Sequence, residues 1–155
     1  MSANYKELTK FTKNMERLNA TQKEEFLQAC CKELAARLLQ KLINRTKEYS
    51  KTNTLVRGWT VDTHEEAAGG KTVGYKEWCD SVEVKRQGNT YILNITNPVN
   101  YASYVEYGHR TKNGAGVGWV EGKFTLTVAE AEIKAATDGI LAKKLRKFIK
   151  EAFGE

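Results

Sequence analysis

The sequence predicts an α+β domain, with a small antiparallel β-sheet packed between a long N-terminal helix and a long C-terminal helix. Two observations carry this. Apolar residues recur at helical spacing near both ends of the chain, and the middle holds two short stretches that alternate apolar and polar side chains around a turn. At 155 residues and 17.5 kDa the chain suits one domain, residues 1–155, large enough to bury a core without staples.

Residues 1–20 read as an N-terminal arm or short helix, in which Leu8, Phe11, Met15 and Leu18 share a side between Tyr5 and Asn19. A longer helix follows. Thr21 precedes Glu24 by three residues, the reciprocal capping-box spacing, and Leu27, Cys31, Leu34, Leu38 and Leu42 form an apolar stripe that predicts helix to about Lys47. Lys32, Glu33, Arg37, Gln40 and Lys41 are the opposite, solvated face. After the polar stretch 50–54, Leu55, Val56, Trp59, Thr60 and Val61 have strand-favouring side chains and predict the first strand. Residues 62–80, with Gly69, Gly70 and Gly74 and no periodicity, read as an exposed loop excursion.

Ser81–Arg86 alternates Val82 and Val84 with charged neighbours, and Thr90–Asn97 alternates Tyr91, Leu93 and Ile95 with polar residues. Gln87, Gly88 and Asn89 join them as a hairpin turn. Pro98 closes the second strand, because proline supplies no ladder donor and extends the residue before it. Tyr101, Tyr104 and Tyr107 then recur every three residues, which predicts a short helical turn with the rings on one side, stopped by Gly108 in a left-handed conformation. Thr111–Gly118 reads as a glycine-rich loop leading to Trp119, Gly122 and Phe124. The last helix runs from about Leu126 to Phe153, burying Ile133, Ile140, Leu141, Leu145, Phe148, Ile149 and Ala152, with Gly139 as a point of bending.

The net charge of +6 is uneven: residues 1–60 carry twelve Lys or Arg against six Glu, and residues 61–125 carry seven against eight acids. Such a field suits nucleic acid or an acidic protein surface, and equally the solvation of long helices. Lys143, Lys144, Arg146, Lys147 and Lys150 crowd the last turns of the final helix, where they complement its dipole without any ligand. No apolar run approaches a membrane span, and the N-terminus has no apolar core like that of a secretory signal, so the reading is cytoplasmic synthesis with reduced thiols. Cys30, Cys31 and Cys79, an odd count without Cys-x-x-Cys, read as small buried apolar residues.

Catalysis finds little support. His64 and His109 sit in different loops with no serine or cysteine setting of a nucleophile, which argues against an enzyme. Gly114, Gly116 and Gly118 lack dinucleotide spacing and no Gly-Lys-Ser/Thr is present, so no nucleotide or other cofactor is implied. His109 with Glu106 supplies two metal ligands without a third, hence no metal. Glu65 with Glu66, and Glu130 with Glu132, read as solvated.

The segment 97–110 concentrates the only proline, three of seven tyrosines and one of two histidines, which marks it as the candidate site. An aromatic and Arg-containing turn beside a glycine loop offers anchors and an adaptable rim, so Tyr101, Tyr104, Glu106, Tyr107, His109, Arg110, Lys112 and Trp119 are the expected protein–protein interface. Tyr101 and Val105 can instead dock the turn on the sheet.

Leu55–Val61, then Asn97-Pro98-Val99-Asn100-Tyr101-Ala102, Tyr104-Val105-Glu106-Tyr107-Gly108-His109-Arg110, and Gly118-Trp119-Val120-Glu121-Gly122-Lys123-Phe124 together resemble the neck and tail-component proteins of long-tailed bacteriophages and prophages, the head–tail joining and tail-completion proteins. The resemblance covers roughly residues 20–153. It departs at 51–55, where Lys-Thr-Asn-Thr-Leu replaces the usual Asp-Thr-Gly-x-Leu turn, and in the longer excursion 62–80. It implies a non-enzymatic virion protein, assembled in the bacterial host cytoplasm as a homo-oligomeric, hexameric ring at the neck or the top of the tail. Implied neighbours are connector or head-closure proteins and tail-terminator or tail-tube proteins, with DNA passing through the channel without sequence-specific binding and no membrane involved. Two alternatives remain: a tail-terminator ring that caps tail-tube polymerisation, and a basic DNA-binding module, favoured by a pI near 9.2.

Overall fold

The structure is a computed structural model that describes residues 2–61, 75–114 and 116–154. Two long helices dominate it. α1 (Ser2–Glu16) leads to α2 (Ala20–Lys47), then come α3 (Thr54–Arg57), β1 (Thr60–Val61), α4 (Tyr75–Ser81), β2 (Lys85–Gln87), β3 (Thr90–Ile92), β4 (Ile95–Thr96), α5 (Ala102–Tyr107), β5 (Gly108–Asn113), β6 (Gly116–Glu121) and α6 (Thr125–Phe153). The strands form three antiparallel pairs, β1 with β4, β2 with β3 and β5 with β6. The α+β class therefore holds, with the small sheet divided into ribbons.

α2 is the spine. Its first half packs Phe26 and Cys30 against Leu18, Leu145 and Ile149, with the rings of Phe11 and Phe148 tilted against Phe26 at centroid distances of 6.5 and 5.3 Å. Its second half packs Ala35, Leu39 and Ile43 against Val61 and Cys79, with Trp59, Trp78 and Ile95 around them. One helix thus serves two clusters, and Lys41 and Arg45 of α2 also clamp the Glu132 carboxylate of α6, Lys41 at 2.7 Å. The clamp holds the Glu132 carboxyl below its ordinary range, through the Lys41 hydrogen bond first and the Arg45 contact next, so Glu132 is partly exposed as expected but also ion-paired.

Several expectations change. The cap of α2 is Asn19, not Thr21: the Asn19 side chain accepts from the Gln22 N–H at 2.9 Å, and the Gln22 side chain accepts from the Asn19 N–H at 3.1 Å. Glu24 instead reaches across to Arg86 at 2.7 Å and to the Tyr91 hydroxyl, tying the β2–β3 ribbon to α2. The core side of α2 is Phe26, Cys30, Ala35, Leu39, Leu42, Ile43 and Thr46, so of the predicted stripe only Leu42 is buried and Leu27, Cys31, Leu34 and Leu38 lie on a partly exposed face.

Leu55 and Val56 lie in the short helix α3, leaving only Thr60 and Val61 as strand. The turn after α3 is forced by crowding: a Cβ on Gly58 would sit 2.3 Å from Asn97 Oδ1. The excursion 62–80 ends in helix α4 from Tyr75, where Cys79 is fully buried; its remainder, with His64, Glu65 and Glu66, lies outside the described residues, as does the Leu8 side chain. Ser81–Arg86 contributes strand only from Lys85, and 90–97 is split at Leu93 and Asn94 into β3 and β4. The hairpin turn stands as expected, with Gln87 opposite Thr90 and Gly88 at φ +60°. In α6, Ile133, Leu145 and Ile149 are buried but Ala152 is exposed. Cys30 and Cys79 are buried, Cys31 is half-buried, and none is in a disulfide.

Candidate protein interface

The chain leaves β4 through Asn97, whose side chain donates to the Leu55 carbonyl at 2.8 Å and accepts from the Val99 N–H at 3.2 Å. Both bonds fix the bend before Pro98. α5 follows, and Gly108 ends it with φ 84° and ψ 173°, a positive φ as expected but an extended rather than helical ψ. That geometry sends the chain straight into β5.

The predicted glycine loop 111–118 is a β-hairpin. β5 and β6 pair from Gly108 opposite Glu121 to Asn113 opposite Gly116. Two glycines let the hairpin base close on α5: a Cβ on Gly108 would lie 2.4 Å from the Val120 carbonyl oxygen, and one on Gly122 would lie 2.3 Å from that of Glu106. The returning chain then bonds to α5 through Lys123 N–H to Val105 O at 2.7 Å and Phe124 N–H to Glu106 O at 3.1 Å.

Glu106 is the structural surprise. It was expected at the surface, yet it is 6% exposed and its carboxylate caps α6, so it is not an interface side chain. It accepts from the Thr125 hydroxyl at 3.1 Å, the Leu126 N–H at 2.9 Å, the Thr127 N–H at 3.0 Å and the Thr127 hydroxyl at 2.7 Å. α6 begins at Thr125, and the residue before it, Phe124, is in a left-handed conformation, φ 49°, and supplies no side-chain cap. A carboxylate from α5 therefore supplies the missing acceptor where the helix dipole is positive. Burial alone would push its pKa up, but the hydrogen bonds from Thr127, Leu126 and Thr125 outweigh this and hold it below the ordinary value.

This locked base presents the remaining candidates outward, His109 only in part. Tyr101, Tyr104 and Tyr107 are 39%, 55% and 63% exposed. The His109 ring lies 5.2 Å from that of Tyr104, with Nδ1 buried and without a hydrogen-bond partner among the described residues. Arg110 faces Trp119 across the hairpin and Lys112 faces Val117. Because opposed residues share a face and alternate along each strand, one face carries Arg110, Lys112, Val117 and Trp119 and the other carries His109, Thr111 and Val120. The first is basic along β5 and apolar along β6, a composition suited to protein contact.

His109 and Glu106 do not form a pair, because the Glu106 carboxylate is committed to α6. Among the described residues no group of three or more His, Cys, Asp or Glu could hold a metal ion, and no helix is long and apolar enough to cross a membrane. The sequence signal for Glu106 was present but indirect: Thr125-Leu126-Thr127 opens a long helix behind Phe124, a residue unable to cap it.

The profile of the family described as "Bacteriophage HK97-gp10, putative tail-component" matches residues 9–108, most of the chain, ending at the glycine that begins the hairpin. No curated protein and no solved structure matches. On the extent of that match, together with the two-helix α+β frame and the Tyr-Val-Glu-Tyr-Gly segment at its end, the chain belongs to the HK97-gp10-like family of bacteriophage tail components.

Proposed function

We propose that this tail component is a non-enzymatic virion protein that forms a hexameric ring at the head–tail neck or the top of the tail, joining connector to tail tube around the DNA channel. The observation that carries the reading is the exposed aromatic and basic side chains of Tyr101, Tyr104, Tyr107, Arg110, Lys112 and Trp119, on a base locked by Glu106, Gly108 and Gly122. A ring of identical copies needs such a patch on each subunit to meet a different patch on the next, and connector or head-closure proteins on one side and tail-terminator or tail-tube proteins on the other are the neighbours it would bridge.

The test is a virion carrying Tyr104→Ala with Arg110→Glu, both at exposed positions. Heads and separate tails should accumulate while the purified variant keeps the circular dichroism and melting temperature of the parent. Normal infectious particles from that variant would sink the proposal. Abnormally long tails would instead assign the tail-terminator role, in which the ring caps tail-tube polymerisation.

A basic DNA-binding module is the second reading, favoured by a shallow groove where Lys6 and Lys10 of α1 face Arg146 of α6. It requires duplex affinity that falls steeply with salt, about one unit of log–log slope per phosphate contacted. The ring reading requires weak affinity at all salt concentrations, since DNA must slide through.

A further inference from the structure

Two apolar surfaces on one copy are each incomplete. Among the described residues the β5–β6 hairpin pairs with no third strand, and every residue of β6 except Gly118 is exposed, with Val117 at 69% and Trp119 at 55%. A two-stranded ribbon is marginal in water by itself, and open edges beside apolar side chains are surfaces that proteins cover. The second surface is a groove of about 420 Å³ between α2 and α6, floored by the β3–β4 connection. Its walls are Cys31, Leu34 and Leu38 from α2 and Leu126 and Ile133 from α6, with Leu93 beneath. These α2 residues are the stripe that helical spacing marks as apolar and that the molecule's own core does not bury.

Charge selects the occupant. Among the described residues Glu130 is the one charged residue lining the groove; it is exposed and makes no ion pair. On the hairpin the charges flanking Val117 and Trp119 are Arg110 and Lys112. We infer that the hairpin of one copy seats Trp119 and Val117 in the α2–α6 groove of the next copy, with Arg110 paired to Glu130. The inference rests on the ring reading and names its subunit contact. An indole so placed covers about 150–250 Å² of apolar surface, and a guanidinium beside a carboxylate adds orientation. Donor and acceptor are different surfaces, so the contact is head-to-tail and repeats until a ring closes.

Complementation of two broken copies tests this. Val117→Ser with Trp119→Ser removes the donor, and Leu38→Lys removes the acceptor; Val117 and Trp119 are more than half exposed and Leu38 lies on the groove wall, and all three are outside the two core clusters. Measured by sedimentation over a concentration series, the purified wild-type chain should form higher oligomers and each variant alone should be monomeric. Mixed one to one, the two variants should form a dimer and nothing larger, because that pair retains one intact contact. Arg110→Glu and Glu130→Arg should each weaken assembly about tenfold or more, and the double swap should restore it to within about threefold. A wild-type chain that stays monomeric throughout, variants that assemble as the wild type does, or a mixture that stays monomeric would each overturn the contact. Undisturbed oligomers in both variants would overturn the contact while leaving the ring standing. Wild-type phage yields from a virion lacking the chain, with the solution contact intact, would remove the ring function and leave the contact.

Discussion

Changing Glu106 to Gln alters one atom and removes half of a four-bond cap. One side-chain oxygen still accepts, but the amide NH2 then faces two of the donors, and a backbone N–H cannot reverse its role as a hydroxyl can. A loss of about 1–3 kcal/mol is expected, since a buried donor is left unmet. The pH dependence has a definite sign. The folded-state pKa lies below the ordinary value near 4.5, so the stabilisation is fully present above the unfolded pKa and is lost as pH falls through the folded one. Urea denaturation of wild type and Glu106→Gln at a series of pH values should therefore give a gap that is widest near neutrality and closes in acid. A gap constant down to acid would show that the carboxylate charge is irrelevant. At this scale the sequence placed Glu106 at the surface and the structure buries it, because the spacing that exposes Tyr104 and Tyr107 says nothing of which neighbour turns inward to serve a helix that starts nineteen residues later.

Capping decides where α2 begins, and two competing signals stand within six residues. Asn19 with Gln22 and Thr21 with Glu24 both satisfy the box pattern, and the structure uses the first, which frees Glu24 to bind Arg86 and Tyr91. Asn19→Ala should lower stability by about 1 kcal/mol, whereas Thr21→Ala, already inside the helix, should change it by less than about 0.5 kcal/mol. Thermal melts that ranked the two in the reverse order would restore the Thr21 cap. Long elements were legible because periodicity accumulates over many turns, which is why α2 and α6 fall close to their expected bounds. Short ones were not. Leu55 and Val56 have strand side chains yet sit in the single turn α3, where the backbone is set by Gly58 fitting against Asn97 and by Trp59 Nε1 donating to Thr46 Oγ1 at 2.9 Å. The hairpin reads as loop in the sequence because nine of its twelve strand residues are glycine or polar and the strands alternate weakly.

The molecule hangs on α2, whose two halves enter different clusters, and this makes a statement about cooperativity that two native thiols can check. Cys30 lies in the cluster shared by α1, α2 and α6, and Cys79 lies in the cluster of α2, α4 and the short strands. Burial pushes the Cys30 thiol up to about 12 and the Cys79 thiol up to about 11, so neither offers appreciable thiolate to an alkylating reagent near neutral pH while its cluster is closed. Cys31, half-buried on the groove wall, should be modified first. If the helix couples both clusters into one domain, Cys30 and Cys79 become reactive through the same global opening. Their protection should then fall together as denaturant rises, extrapolating to one free energy within about 0.5 kcal/mol. Peptide mapping after timed alkylation measures this directly. Cys79 reacting well before Cys30 would show that α4 and the ribbons open as a separate unit while the three-helix cluster holds.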